Sequence, residues 1–332
     1  MRFDLDLDSG VVYPGTSMVD LARVAEDRGF SAIWKGESNS ADPMVCLAAM
    51  AVGTRTIGLG TAVYHVFGRS PVTLGIQAAT LSDMSGGRLL LGIGVSNATI
   101  AAWHGQSFDR PLRRLREYAE LTRSVAAGER VEDSGEIYHA SGFKLSWRPQ
   151  HPRFPVIFAG LGEQMTRLAG RCADGIMVNM ANPPMLREIF GRVKDSAERA
   201  GREPSSIDYV AKVRVSIHQD REVARAKLKS VLAFYNIADH YRDMIASMGF
   251  ERESRAVRDA YQQSGFRAAQ GAVPDVLVDN LPTIAARSAE EARELVQPYL
   301  EAGVTRLIIP YLPATEDAVG ETAAFLRSWP VS

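Results

Sequence analysis

Cysteine is scarce in this chain: Cys46 and Cys172 are the only two among 332 residues, and they lack Cys-x-x-Cys spacing. Both sit in apolar, helical-looking segments, which fits two core thiols in a reducing cytoplasm and excludes a disulfide scaffold or a dithiol redox motif. An excess of either charge is also missing, with 38 basic against 39 acidic residues. Nothing is left over to attract phosphate backbones or anionic lipid at long range, so neither nucleic acid nor a membrane surface is an expected partner. No apolar run approaches the roughly 20 residues that span a bilayer. The N-terminal Met1-Arg2-Phe3-Asp4-Leu5-Asp6-Leu7-Asp8 alternates apolar and charged residues, where a secretory signal needs a continuous apolar stretch. We read it as a strand of a soluble protein. Metal and nucleophile chemistries lack their motifs too. His65, His104, His139, His151, His218 and His240 show neither His-x-His nor His-Glu-x-x-His spacing, and there is no Gly-x-Ser-x-Gly elbow.

What the chain does have is a recurring unit: an amphipathic helix, a glycine just after it, and a short apolar run. Ala25-Glu26-Asp27-Arg28-Gly29 leads into Ala32-Ile33-Trp34, Arg171-Cys172-Ala173-Asp174-Gly175 into Ile176-Met177-Val178, and Leu300-Glu301-Ala302-Gly303 into Leu307-Ile308-Ile309. Each glycine suits the left-handed position that closes a helix. Each apolar run is continuous, as in a strand buried on both faces. Strands are expected near residues 3–7, 32–35, 57–63, 89–93, 156–159, 176–178, 210–217 and 307–310. Helices are expected over 17–28, 43–52, 71–84, 111–127, 163–171, 184–200, from 222 onward, and 290–301. Eight strands alternating with helices predict one α/β domain over 1–332, a closed (β/α)8 TIM barrel. An open doubly wound sheet would carry a dinucleotide fingerprint after the first strand, and Asp8-Ser9-Gly10-Val11-Val12-Tyr13-Pro14 stands there instead. Residues 135–147 read as a short β excursion. Residues 221–270 read as a charged helical insertion before the last βα unit, which either covers the barrel mouth, forms a subunit contact or is a solvated hairpin.

In such a barrel, chemistry belongs just after each strand. Lys35-Gly36-Glu37-Ser38-Asn39 is a polar cluster in which Asp42 is an obvious cap for the helix starting at Pro43, while Glu37 has no such role. Gly58-Leu59-Gly60-Thr61-Ala62-Val63-Tyr64-His65 places glycines at alternate positions, which admits a flat ligand or a neighbouring backbone, with His65 and Arg69 as polar anchors. Leu91-Gly92-Ile93-Gly94-Val95-Ser96-Asn97 carries a further, weaker Gly-x-Gly. Ala159-Gly160-Leu161-Gly162-Glu163 runs into a helix start that exposes backbone N–H groups suited to phosphate.

These motifs resemble a known family. Gly29-Phe30-x-x-x-Trp34-x-x-Glu37, Asp42-Pro43, Thr56-Ile57-x-Leu59-Gly60-Thr61-Ala62-Val63, Arg69-Ser70-Pro71, Ser85-Gly86-Gly87-Arg88-x-x-Leu91-Gly92-Ile93-Gly94 and Ala173-Asp174-Gly175 are similar to the luciferase-like class of flavin-dependent oxidoreductases, and within it to the branch that uses the deazaflavin coenzyme F420. The resemblance implies a cis peptide between Ala62 and Val63, a bulge supporting the central ring of the cofactor. It places Gly94, Val95, Ser96 and Ala159 along the cofactor and its phosphate on the backbone N–H groups of Gly160, Leu161 and Gly162. It also implies a homodimer paired through helices of the first half.

Members that oxidise sugar phosphates or secondary alcohols carry histidine after the acidic residue matching Glu37 and glutamate at the position of Asn97, whereas this chain has Ser38 and Asn97. Reduction of a carbonyl or activated alkene is then expected, with Glu37 and Asn97 at the reactive edge and a small-molecule pocket drawn from Ser38, Tyr64, His65, Trp103, His104 and Asn179. The rivals are a monooxygenase using reduced FMN and oxygen, and a catalytically silent flavin-binding barrel.

Overall fold

The computed structural model describes every residue except Ser9, Gly10, Val12, Gly15 and Ser332, and the backbone alone at Asp133 and Ser134. The segment after the first strand, where an open sheet would carry its fingerprint, therefore lies partly outside the described residues. Eight strands form the main sheet: β1 (Arg2–Asp6), β2 (Ala32–Lys35), β3 (Gly58–Thr61), β4 (Leu89–Gly94), β5 (Val156–Ala159), β6 (Gly175–Val178), β7 (Asp208–Lys212) and β8 (Arg306–Pro310). Their order is β3-β2-β1-β8-β7-β6-β5-β4, and β3 also pairs with β4, which closes the ring. The fold is the closed parallel barrel that the alternation predicts.

Contacts divide the chain into two compact units, one of Pro14–Met177 with Ile189–Tyr209, the other of Met1–Tyr13, Val178–Glu188 and Val210–Ser332. The first contains β2 to β5 and the helices α1 (Ser17–Asp27), α2 (Pro43–Gly53), α3 (Pro71–Ser85), α4 (Ala98–Trp103), α5 (Pro111–Ala126) and α6 (Glu163–Cys172). Local chemistry sets their ends. The Asp42 carboxylate accepts the Val45 N–H at 3.1 Å ahead of Pro43, and the Ser70 hydroxyl accepts the Thr73 N–H at 3.1 Å ahead of Pro71. Gly86, at φ 67°, closes α3 in the left-handed region. Arg88 then reaches back to donate to the carbonyls of Ala51, Thr54, Ile57 and Ser85, so one guanidinium satisfies orphan carbonyls at the end of α2 and ties them to β3. Asp174 does the same work between β5 and α5, accepting the Val156 N–H at 2.8 Å and pairing with Arg123 at 2.7 Å. The expected β excursion is an antiparallel hairpin of Val131–Ser134 and His139–Phe143, whose turn amides at Glu136, Ile137 and Tyr138 donate to Glu117 on α5.

In the other unit, β8 pairs with both β1 and β7. The alternation in β1 does not leave a solvated face: Phe3, Asp4, Leu5 and Asp6 are all buried, with Asp4 paired to Arg306 and Asp6 to Lys212, each at 2.7 Å. The expected strand over 210–217 is in fact two. The Val213 N–H bonds Ile308 and the next amide, Arg214, bonds Pro282, so the chain changes partner there and Arg214–Ile217 pairs with Thr283–Ala286 in a small parallel sheet. The helix expected over 290–301 also divides, because Pro298 restarts it as a second short helix. After α7 (Pro183–Arg199), the helical insertion is α8 (Arg221–Ile237), α9 (Asp239–Ile245) and α10 (Glu251–Ala272), turning at Gly249 (φ 95°).

One buttress of the first unit is testable. Burial opposes ionisation of Glu26, but the N–H groups of Thr56, Ile57 and Arg55 and the Thr56 hydroxyl all converge on its carboxylate and hold its pKa down at about 2. Because the folded pKa is depressed, this stabilisation is fully present above the ordinary carboxylate range and is lost as pH falls toward 2. Glu26→Gln is expected to lower unfolding stability at pH 7 by about 1–2 kcal/mol, with the gap to wild type closing as pH drops from 5 to 2. A gap that stays constant across that range in urea titrations would show that the carboxylate charge is not what the amides hold.

Candidate active site

The barrel strands of the Pro14–Met177 unit are buried along almost their whole length, and the backbone becomes accessible just where they end. Ala62 and Val63, then Val95, Ser96 and Asn97, then Ala159, Gly160 and Leu161 are all half-buried, directly after fully buried neighbours. These are the accessible positions at the ends of β3, β4 and β5, and ten of the predicted site residues fall on them or on the adjoining Gly94 and Gly162.

The wall they form is built by close backbone approach. The Ala62-Val63 peptide is cis, as the family resemblance implies. Its ends are clamped: the Ala62 N–H donates to Lys35 O at 2.9 Å, Val63 O accepts the Glu37 N–H at 3.1 Å, and the Thr61 hydroxyl donates to Gly92 O at 2.7 Å. Gly92 has to be glycine, because a Cβ there would sit 2.0 Å from the Thr61 carbonyl oxygen. A Cβ on Gly94 would press at 3.2 Å on Val63 and 3.3 Å on Ala159, so its absence makes Val63, Gly94 and Ala159 one continuous surface. Ser96 follows at φ 52°, an uncommon conformation for a residue with a side chain. Asn97 is the N-cap of α4, its side-chain oxygen accepting the Ile100 N–H at 3.1 Å.

Behind the wall lies a buried charge cluster. One Glu37 oxygen takes the backbone N–H of His65 at 3.1 Å and its ring Nε2 at 3.0 Å, and the other takes Arg69 at 2.7 Å. Both oxygens are thus committed to the segment that follows the bulge. Burial raises the Glu37 pKa above the usual carboxylate range, partly countered by the His65 amide and Arg69. The same burial, together with the electrostatic influence of the neighbouring His104 and Arg69, lowers His65 to about 4. His65 is therefore neutral at pH 7 and donates from Nε2 to Glu37. Its other ring nitrogen, Nδ1, is buried and has no hydrogen-bond partner among the described residues. His104 packs on it with ring centroids 4.6 Å apart. Tyr64 corrects an expectation. It is fully buried rather than a pocket wall, because its hydroxyl bonds Asp42 and the Met44 N–H while Arg69 lies over its ring. Ser38 and Trp103 are exposed.

The loop after β5 needs a second correction. The Gly160 N–H is used, donating to Met177 O at 3.2 Å, so it is not a phosphate donor. The amides of 161–165 have no partner among the described residues. The first helical bond of α6 runs from Thr166 to Gly162, and Gly162 has no side-chain cap. A row of N–H groups at a helix start is what an anion needs.

Asn179 lies in the other unit, where it joins Arg214, Tyr235 and Tyr241. Arg214, and the pairs Asp6–Lys212 and Asp4–Arg306, were not singled out from sequence. The available signal was a charged residue inside or directly after an otherwise apolar strand. Among the described residues, no group of three or more His, Cys, Asp or Glu side chains is placed to hold a metal ion.

Comparison with known proteins follows the same lines. The sequence model of the family described as luciferase-like monooxygenase matches residues 3–306. A 5,10-methylenetetrahydromethanopterin reductase of Archaeoglobus fulgidus is 28% identical over 290 residues, 86% of each chain. A protein of Mycobacterium tuberculosis named a putative coenzyme F420-dependent oxidoreductase is 28% identical over 330 residues, covering 93% of this chain and 94% of that one. The solved structure of the coenzyme F420-dependent tetrahydromethanopterin reductase of Methanopyrus kandleri has the same fold, with a TM-score of 0.85, 23% identity and coverage of 99% and 98%.

The buried cluster has a pH signature. The folded pKa of His65 is depressed, so its neutral form contributes stability above the ordinary 6.5 that is lost as pH falls toward about 4. An NMR titration of the imidazole protons should show His65 with a midpoint near 4, and His65→Gln should flatten the loss of stability between pH 6.5 and 4. A His65 resonance titrating at the ordinary pKa would remove the buried neutral imidazole from this description.

Proposed function

Because the chain belongs to the luciferase-like monooxygenase family, we propose that it is an oxidoreductase moving a hydride between coenzyme F420 and a small organic substrate, with reduction of a carbonyl or activated alkene as its working direction. The observation that carries this reading is the continuous Val63–Gly94–Ala159 surface leading into the unpartnered amides of 161–165. A flat ring needs the first and a phosphate the second, and the two are joined by one strand end. The M. kandleri and M. tuberculosis proteins, both coenzyme F420-dependent by name, support the choice of cofactor.

Bound F420 supplies the carbon that donates or receives the hydride. The rest falls to this chain. Ala62, Val63, Gly94, Val95 and Ser96 support the ring, Ala159 and Gly160 keep the approach to the loop open, and Leu161, Gly162 and the first turn of α6 donate to the phosphate. Glu37 holds the Tyr64-His65 segment in place through both its oxygens, which makes it a positioning residue for the bulge. His65 Nδ1 offers a single acceptor to a donor on cofactor or substrate. Asn97 orients without transferring a proton, because an amide does not ionise and its oxygen already caps α4. Ser38 and Asn97 stand where the alcohol-oxidising members carry histidine and glutamate, so the base that such an oxidation uses is missing, whereas a reduction takes its hydride from F420 and its proton from water and needs neither residue.

Titration of the protein with F420 and, separately, with FMN tests the cofactor, and tighter binding of FMN with oxygen consumption on reduction would reverse it. Among the described residues nothing lies within 4 Å of where a Cβ on Gly162 would sit, so Gly162→Asp has room to fold. Its carboxylate should cap α6, adding about 0.5–1 kcal/mol of stability, while weakening F420 binding at least tenfold by occupying the same donors. In single-turnover oxidation of reduced F420 with a panel of enones and ketones, Glu37→Gln should be slower by at least tenfold, about 1.4 kcal/mol. Wild-type rates in that variant would leave Glu37 with no part in the reaction.

We also infer a homodimer through α2. Its sequence, Pro43-Met-Val-Cys-Leu-Ala-Ala-Met-Ala-Val-Gly53, holds no polar side chain, yet Val45 and Val52 are 71% and 77% exposed. A helix apolar all round is normally covered on every side. Light scattering should give twice the chain mass at micromolar concentration, and Val52→Glu should give the monomer. A monomeric wild type would exclude the pairing.

A further inference from the structure

Arg214 is 4% exposed and lies two residues beyond the end of β7, at the start of the strand Arg214–Ile217, while Asn179 and Met180 directly follow β6. Its guanidinium donates to Asn179 Oδ1 at 3.0 Å, Met180 Sδ at 3.5 Å and the Tyr235 hydroxyl at 2.6 Å, and it lies 4.7 Å from the Tyr235 ring centroid. Each of these partners is neutral. Among the described residues, no carboxylate comes within ion-pair distance of it, in contrast to Arg306 and Lys212 in the same unit. A buried cation normally has an anion beside it, because neutral dipoles alone do not make up for lost hydration.

The unused valences of the cluster point the same way. A guanidinium has five N–H groups. Three bonds are filled, two at Nη1 and one at Nη2, leaving Nε–H and one N–H of Nη2. Because arginine only donates, the Asn179 oxygen must face it, which turns the Asn179 NH2 to the Tyr241 hydroxyl at 2.9 Å. Tyr235 and Tyr241 each accept one hydrogen bond there and keep an O–H to give. Their rings pack edge to face at 4.6 Å, fixing both hydroxyls. Burial raises the Tyr241 pKa, so its proton stays on. Met180, at φ 63°, turns the chain in a conformation that a residue with a side chain adopts only where its surroundings hold it. The result is a set of fixed donors around a buried positive charge, at the strand ends where barrels bind ligands.

We propose that Arg214, Tyr235 and Tyr241, braced by Asn179, bind an oxyanion carried by the substrate, a carboxylate or a phosphate. A planar fork flanked by hydroxyls suits either group. The insertion thereby acquires a task, since α8 supplies Tyr235 and α9 supplies Tyr241. The substrate class is accordingly an anionic carbonyl or alkene compound. That last step rests on the reductase reading, whereas the anion site does not.

The test starts with cofactor-free protein at constant ionic strength, titrated calorimetrically with inorganic phosphate and, separately, with succinate. One of the two should saturate, and which one identifies the group. Arg214→Gln should weaken that binding at least tenfold. Tyr241→Phe, which removes one hydroxyl and no bulk, should weaken it severalfold while leaving the melting temperature near that of wild type. Failure of both anions to saturate in the millimolar range, or wild-type affinity in both variants, would overturn the site and leave Arg214 a structural cation. F420 affinity in Arg214→Gln separates the sources of the anion. Unchanged affinity assigns the oxyanion to the substrate, and a matching loss assigns it to the cofactor and overturns the proposal. If wild-type protein fails to bind F420 at all while phosphate or succinate still saturates, the cofactor reading fails and the anion site stands.

Discussion

The candidate active site depends on one close approach: the Thr61 carbonyl lies where a side chain on Gly92 would begin, 2.0 Å from its Cβ position. Only a residue without Cβ lets β3 and β4 come together this way, and the Thr61 hydroxyl then bonds the Gly92 carbonyl. The bulge at Ala62 and Val63 starts from that contact, and the bare surface at Gly94 continues it to β5. Two glycines thus do by omission what no placed side chain could do, which is to bring three backbones into a single flat wall.

Around this wall the charges are arranged to hold and not to react. Glu37 is buried against Arg69, His65 is neutral beside it, and Tyr64 is fixed by Asp42 and the first turn of α2. In such surroundings a carboxylate with both oxygens occupied acts as a bracket. Reactive power in this design rests with whatever is bound on the wall, consistent with a barrel that positions a redox cofactor and leaves the chemistry to it. The second unit shows the complementary situation. Asp4 and Asp6 neutralise Arg306 and Lys212, whereas among the described residues Arg214 meets only dipoles.

The family motifs are mostly structural joints. Ser85-Gly86-Gly87-Arg88 ends one helix and ties down the end of another through the Arg88 guanidinium. Ala173-Asp174-Gly175 links β5, β6 and α5 through the Asp174 carboxylate. Such motifs mark the fold strongly because each requires a residue type that no other can replace. They say little about the substrate, which explains why the lineage of the chain reads more readily than its substrate.

The sequence by itself determined the barrel, its eight strands, most helix boundaries and the glycines of the site. Those properties are local: continuous apolar runs, caps such as Asp42-Pro43, and positions that exclude a Cβ. Tertiary structure alone decided what the charged residues do. Nothing along the chain says that Tyr64 turns inward to Asp42, that the Gly160 amide is taken by Met177, that the strand at 210–217 changes partner at Val213, or that Arg214 meets only neutral groups. Each of those outcomes depends on which distant residue arrives within hydrogen-bonding distance. Hydrophobic periodicity reports burial, but a buried polar group is defined by its partner, and the partner is chosen only when the chain closes on itself.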